Sequence, residues 1–63
     1  MIIRSFLLSL THRFTAHDAY MLMLLAGYDV SFWEVDSEAD CLVDEGYFYI
    51  SGFTLFGEAI YER

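Results

Sequence analysis

Ile3, Phe6, Leu7, Leu10 and Phe14 fall at i, i+3, i+4, i+7 and i+11, the stripe of an amphipathic helix. The β-branched pair Ile2-Ile3 also suits a strand, and periodicity alone leaves both readings of this segment open. Thr15-Ala16-His17-Asp18 then has the form of a capping box, in which the hydroxyl accepts from the N3 amide and the Asp18 carboxylate reaches back. A helix is expected to start there, to run through the apolar stretch Ala19 to Ala26, and to end at Gly27, placed to take a left-handed conformation. Because this helix is apolar on nearly every face, it should be packed on two sides or sit at a subunit interface.

Beyond it, Tyr28-Asp29-Val30-Ser31-Phe32-Trp33-Glu34-Val35 is rich in β-branched and aromatic residues and reads as a short strand or extended link. Ser37-Glu38-Ala39-Asp40 repeats the capping-box pattern, which predicts a two-turn helix over 38–45 with Ala39, Leu42 and Val43 inward and Gly46 closing it. Tyr47 to Ile50 and Phe53 to Phe56 flank Ser51-Gly52, a two-residue hairpin turn, with Phe48 and Ile50 facing the core and Tyr47 and Tyr49 outward. Glu58 to Arg63 reads as a last helical turn. The pattern predicts a single α+β domain over 1–63, of two or three helices with a C-terminal β-hairpin. No proline, linker or repeat signals a second domain.

Composition changes this picture in one respect. Apolar residues make up 57% of the chain, above the roughly 45–50% of ordinary domains, while a domain of 63 residues buries only about 60% of its unfolded surface. Some apolar surface is therefore expected to stay uncovered and to meet a partner or a second copy. Charge is segregated as well. Positions 1–17 hold Arg4 and Arg13 and no acid, whereas positions 18–63 hold all ten acids and only Arg63, for a net charge of −7. Such an excess disfavours nucleic acid and anionic membrane and favours a basic protein surface.

Six of the acids, Glu34, Asp36, Glu38, Asp40, Asp44 and Glu45, lie within twelve residues. If 34–38 were extended, Glu34, Asp36 and Glu38 would point the same way about 6.7 Å apart, and Asp40 and Asp44 would continue the row on a helix at i, i+4. A row of this kind can stand in for a phosphate backbone before a surface of lysines and arginines. The plainer reading gives the acids to the helix dipole and to solubility. Trp33, Tyr47 and Tyr49 are the candidate apolar anchors of such a surface, with Trp33 read alternatively as the core anchor.

Other chemistry finds little support. Counted from Glu34, acids fall at positions 1, 3, 5, 7 and 12 of a calcium-type loop, but Ala39 stands where the sharp turn needs glycine. His12 and His17 are five apart, off the i, i+4 spacing that shares a metal on a helix, and Cys41 is the only thiol, so no zinc site or disulfide is expected. No nucleophile, base and orienting group form a motif, and neither an enzyme nor a cofactor is expected. The lone cysteine suits a reducing, cytoplasmic setting. The start, Met1 to Leu10, has a short apolar run broken by Ser9 with no small-residue cleavage pattern, so a signal peptide is not expected. The uncharged apolar run Ala19 to Tyr28 falls far short of the roughly 20 residues that span a bilayer.

Two resemblances add to these readings. Asp40-Cys41-Leu42-Val43-Asp44-Glu45-Gly46-Tyr47, followed by Phe53-Thr54-Leu55-Phe56-Gly57-Glu58-Ala59-Ile60, resembles the recognition-helix end and wing of small winged-helix domains, over about a third of the chain. The helix that would enter a DNA groove carries Glu38, Asp40, Asp44 and Glu45 and no basic residue, which implies that such a shape is turned from DNA toward protein. In size and acidity the chain also resembles small phage-encoded inhibitors of the anti-CRISPR and anti-restriction type. That resemblance implies a non-catalytic inhibitor occupying the nucleic-acid-binding surface of a host protein by DNA mimicry. The alternative expectation is a small structural or regulatory subunit that forms a homodimer or larger homo-oligomer through its apolar central helix, the acids serving solubility.

Overall fold

A computed structural model describes residues 2–63. Its elements are helix α1 (Ile2–Ser9), strand β1 (Phe14–Thr15), helix α2 (Ala16–Leu25), helix α3 (Phe32–Asp44), strand β2 (Tyr49–Phe53) and strand β3 (Ala59–Glu62). Three helices thus combine with a three-stranded antiparallel sheet of order β1-β3-β2, an α+β domain whose C-terminal strands pair as a hairpin. Of the two readings open for the N-terminal segment, the helix is the one adopted. It buries Ile3 and Leu7 and stops at Ser9, whose hydroxyl donates to the Phe6 carbonyl at 2.6 Å. Phe14, the last member of the apolar stripe, lies in β1 and is buried there between the helices and the sheet.

Thr15 ends β1 and caps α2 at once. Its extended backbone lets the side chain accept from the Asp18 amide at 3.1 Å, while Asp18 accepts from the Thr15 amide at 3.2 Å, so both predicted halves of the capping box form. Gly27 supplies the positive φ of 93° that lets the chain leave α2. Only one side of α2 is packed, however: Ala16, Ala19 and Met23 enter the core, while Met21, Leu22, Leu24 and Leu25 remain exposed. Among the described residues no element packs fully over this second face, which the apolar pattern predicts to be covered.

The segment after α2 differs from expectation. Ser31, not Ser37, is the N-cap of the third helix. Its side chain accepts from the Glu34 amide at 3.2 Å, and Glu34 accepts from the Ser31 amide at 3.0 Å. Two serine-acid capping patterns compete here, Ser31…Glu34 and Ser37…Asp40. The earlier one wins because a helix begun at Phe32 buries Val35 along with Ala39 and Leu42. Of the short strand or extended link expected over 28–35, only 28–31 form a link and no strand; 32–35 are helical, and Ser37 is an exposed mid-helix residue. Gly46, at φ 86°, follows the helix end as expected.

The hairpin also turns later than predicted. Ser51-Gly52 lies inside β2, where the register slips: Ile50 opposes Tyr61 and Gly52 opposes Ile60, leaving Ser51 as the extra residue of a β-bulge. The reversal spans Thr54 to Glu58. There the Thr54 amide donates to the Glu58 carbonyl, and the Thr54 hydroxyl accepts from the Phe56 and Glu58 amides. Residues 59–62, expected as a helical turn, instead form the central strand β3, because pairing on both edges satisfies their backbone groups.

The core is one cluster. Leu7 of α1, Ala19 and Met23 of α2, Val35, Ala39 and Leu42 of α3 are fully enclosed, and Phe14, Phe48 and Tyr61 stack against them from the sheet side. Phe14 meets Phe48 edge to face with centroids 5.3 Å apart. Arg63 closes this end, its guanidinium 5.3 Å from the Phe48 ring centroid. Among the described residues no helix is long and apolar enough to cross a membrane.

Candidate functional site

A helix turns about 100° per residue, so six acids that would form one row on a strand separate into two lines on α3. Glu34, Glu38 and Glu45 share the flank that faces α1. Asp36, Asp40 and Asp44, spaced i, i+4 and i+8 and thus about 6 Å apart along the axis, share the other flank with Trp33.

Arg4 of α1 pairs with two members of the first line, Glu38 and Glu45. Its Nε donates to Glu38 at 2.9 Å, and both terminal nitrogens donate to the two oxygens of Glu45. This fork holds the Glu45 carboxyl below the usual carboxylate range, and the same two acids hold the proton on Arg4 more firmly than usual. Glu34 is engaged in its cap. Glu38 and Glu45 therefore join α1 to α3 while Glu34 caps α3, and these three acids are not the free row that the spacing suggested.

Among the described residues the second line meets no opposite charge. No basic residue lies within α3, and the other two arginines sit elsewhere: Arg63 lies over Phe48, and Arg13 is in the loop before β1. Asp40 accepts from the buried Tyr61 hydroxyl at 2.8 Å, which ties α3 to the central strand. Burial first, and then this bond and the nearby charges of Asp40 and Asp36, push the phenol well above its ordinary range, so Tyr61 is a neutral donor. The Asp36 carboxyl is also raised, mainly by burial and further by Asp40 and Glu58.

Asp36, Asp40 and Glu58 converge on a cleft of about 410 Å³ between α3 and the β2–β3 hairpin. The bulge at Ser51 shapes it. Side chains alternate along a strand, so Ile50 and Phe53 would face opposite ways, but the extra residue brings both onto the side facing α3. Phe32 supplies the facing aromatic wall. Among the described residues no three of His, Cys, Asp and Glu stand close enough together to hold one metal ion.

Trp33 is 77% exposed, so the reading of it as a core anchor is overturned. As the second residue of α3 it lies on a different face from buried Val35 and Ala39, meets the Phe32 ring edge to face with centroids 6.4 Å apart, and heads the Asp36-Asp40-Asp44 line. Tyr47 and Tyr49 are exposed as expected but do not line the cleft. Phe48 is buried as expected, whereas Ile50 is partly exposed in the cleft wall. Sequence reasoning missed Phe53, Glu58 and Tyr61 as members of this surface. They lie about twenty residues from Asp36 and Asp40, and only the bulge and the late turn bring them there.

A second concavity of about 500 Å³ runs between residues 9–14 and α2, lined by Leu10, Phe14, Met21 and Leu22, with His12 and Arg13 at hand. Cys41 is exposed on α3 as a free thiol. No family model matches the chain, and no curated protein or solved structure matches it.

Proposed function

We propose that this protein is a non-catalytic, acidic binding module that occupies the basic, nucleic-acid-binding surface of a partner protein through α3. The observation that carries the reading is the flank of α3 on which exposed Trp33 heads three aspartates with no basic residue among them. The order α1-β1-α2-α3-β2-β3 with sheet order β1-β3-β2 supports a winged-helix-like description, in which α3 holds the place of the recognition helix. A recognition helix that reads DNA presents basic and amide side chains to phosphates and base edges; this one presents carboxylates. Carboxylates about 6 Å apart along a rod offer arginines and lysines what a phosphate strand offers them. Inhibition by DNA mimicry, of the anti-CRISPR or anti-restriction kind, is the form of activity this surface fits. The reading places the protein in a reducing, intracellular setting, where Cys41 stays a thiol.

Attraction between the aspartate line and a basic groove would speed encounter, while Trp33 would slow release. The test is capture from cell lysate by wild type beside the triple variant Asp36→Asn/Asp40→Asn/Asp44→Asn. The amide at 40 keeps an acceptor for Tyr61, so the fold is not put at risk. Wild type should retain a nucleic-acid-binding protein that competitor DNA displaces. The yield should fall between 50 and 500 mM salt, as the screening length shrinks from roughly 14 to roughly 4 Å. The triple variant should retain little. Equal capture by both proteins, insensitive to salt and DNA, would overturn the reading.

A second reading has its own observation: Met21, Leu22, Leu24 and Leu25 stand exposed on α2. They favour a subunit that homo-oligomerises through its central helix.

A further inference from the structure

The cleft between α3 and the hairpin has an apolar lining interrupted by carboxylates, and the two together define what it accepts. Phe32 on α3 and Phe53 on β2 provide aromatic surface, while Asp36, Asp40 and Glu58 provide charge from two separate elements. Among the described residues no basic side chain lines the cleft, and none neutralises these three acids there.

We propose that this cleft docks the guanidinium of an arginine side chain presented by the partner protein. The inference rests on the proposed function and adds to it the chemistry of the anchoring contact. Charge complementarity requires a cation. Among the described residues no three of His, Cys, Asp and Glu are grouped to hold a metal ion, and the three acids come from two separate elements, which favours a cation with several separated donors. A guanidinium is a plane with five N–H donors in a fixed fork, and it stacks on aromatic rings while its edges bond to carboxylates. An ammonium has three donors on one atom and is more strongly hydrated, so it matches separated acceptors and aromatic walls less well. Asp40 already accepts from Tyr61 through one oxygen, which orients the carboxylate toward the cleft and leaves the other oxygen for an incoming donor. A docked cation would also relieve the burial and repulsion that raise the Asp36 carboxyl.

The experiment is titration of the ¹⁵N-labelled protein with N-acetyl-arginine amide and, separately, with N-acetyl-lysine amide, followed by amide shifts. The arginine probe should give saturable shifts at Phe32, Asp36, Phe53 and Glu58 with millimolar affinity, tighter than lysine. Asp36→Asn and Glu58→Gln should each weaken it roughly two- to fivefold, the range of a partly exposed charge pair. Asp29→Asn, which makes the same change in net charge on an exposed loop, should leave it unchanged. A dispersed spectrum for each variant shows that folding is intact. Absence of saturable shifts in the cleft, equal binding of lysine, or equal loss with Asp29→Asn would overturn the inference. If capture by the intact protein remains sensitive to salt and DNA while the arginine probe ignores the cleft, only the anchoring contact is wrong. If the probe binds the cleft but capture is insensitive to both, the cleft chemistry stands and the proposed function fails.

Discussion

Asp36 and Glu38 are two positions apart on one helix and have opposite fates. Glu38 points toward α1 and meets Arg4; Asp36 points toward the hairpin and meets Asp40 and Glu58. Spacing in the sequence put both in one acidic row, and only the winding of α3 separates them. Asp36 consequently carries a penalty. An acid whose folded pKa is raised above its unfolded value opposes folding at neutral pH, and the opposition disappears as pH falls below the ordinary carboxylate value of about 4. Asp36→Asn should therefore raise the urea midpoint at pH 7 and leave it unchanged near pH 3. An equal gain at both pH values would trace the effect to something other than the charge. A position that is better for stability as an amide is consistent with an acid retained for binding.

Capping chemistry made the second helix legible in the sequence: Thr15 and Asp18 were enough to start it, and Gly27 to stop it. The third helix was misread because Ser31-Phe32-Trp33-Glu34 satisfies two rules at once. Its aromatic and β-branched run suits a strand, and its serine and glutamate suit a capping box. Burial of Val35 on the same stripe as Ala39 and Leu42 decides between them, and that information is tertiary. The two serines give a direct test. Ser31→Ala should cost about 1 kcal/mol in urea unfolding through loss of the cap, whereas Ser37→Ala, mid-helix and exposed, should be neutral or slightly stabilising. The reverse order would restore a helix starting at Glu38. In the hairpin, Ser51-Gly52 has the composition of a turn but serves as a bulge; local chemistry marks a break in the ladder without saying which kind.

For the whole molecule, the excess of apolar residues implied uncovered surface, and the structure locates it. Leu25 at the end of α2 is 81% exposed, and Leu55 and Phe56 at the hairpin tip are almost wholly so. Wild type should accordingly self-associate as concentration rises, and Leu22→Ser/Leu25→Ser should sediment as a monomer while keeping any salt-sensitive capture through α3. If wild type is already monomeric across the concentration range, the homo-oligomer reading falls. If the leucine variant loses capture too, α2 belongs to the binding surface. The class of fold, the cap and stop of α2, the buried Phe48 and the imbalance of charge were all determined by the sequence alone, because propensity, capping and composition act over a few residues. Which acids remain free was decided by the tertiary structure. Arg4 is distant in sequence from Glu38 and Glu45, and Glu58 and Tyr61 are distant from Asp36 and Asp40; electrostatics acts through space, and only folding brings these charges within reach of one another.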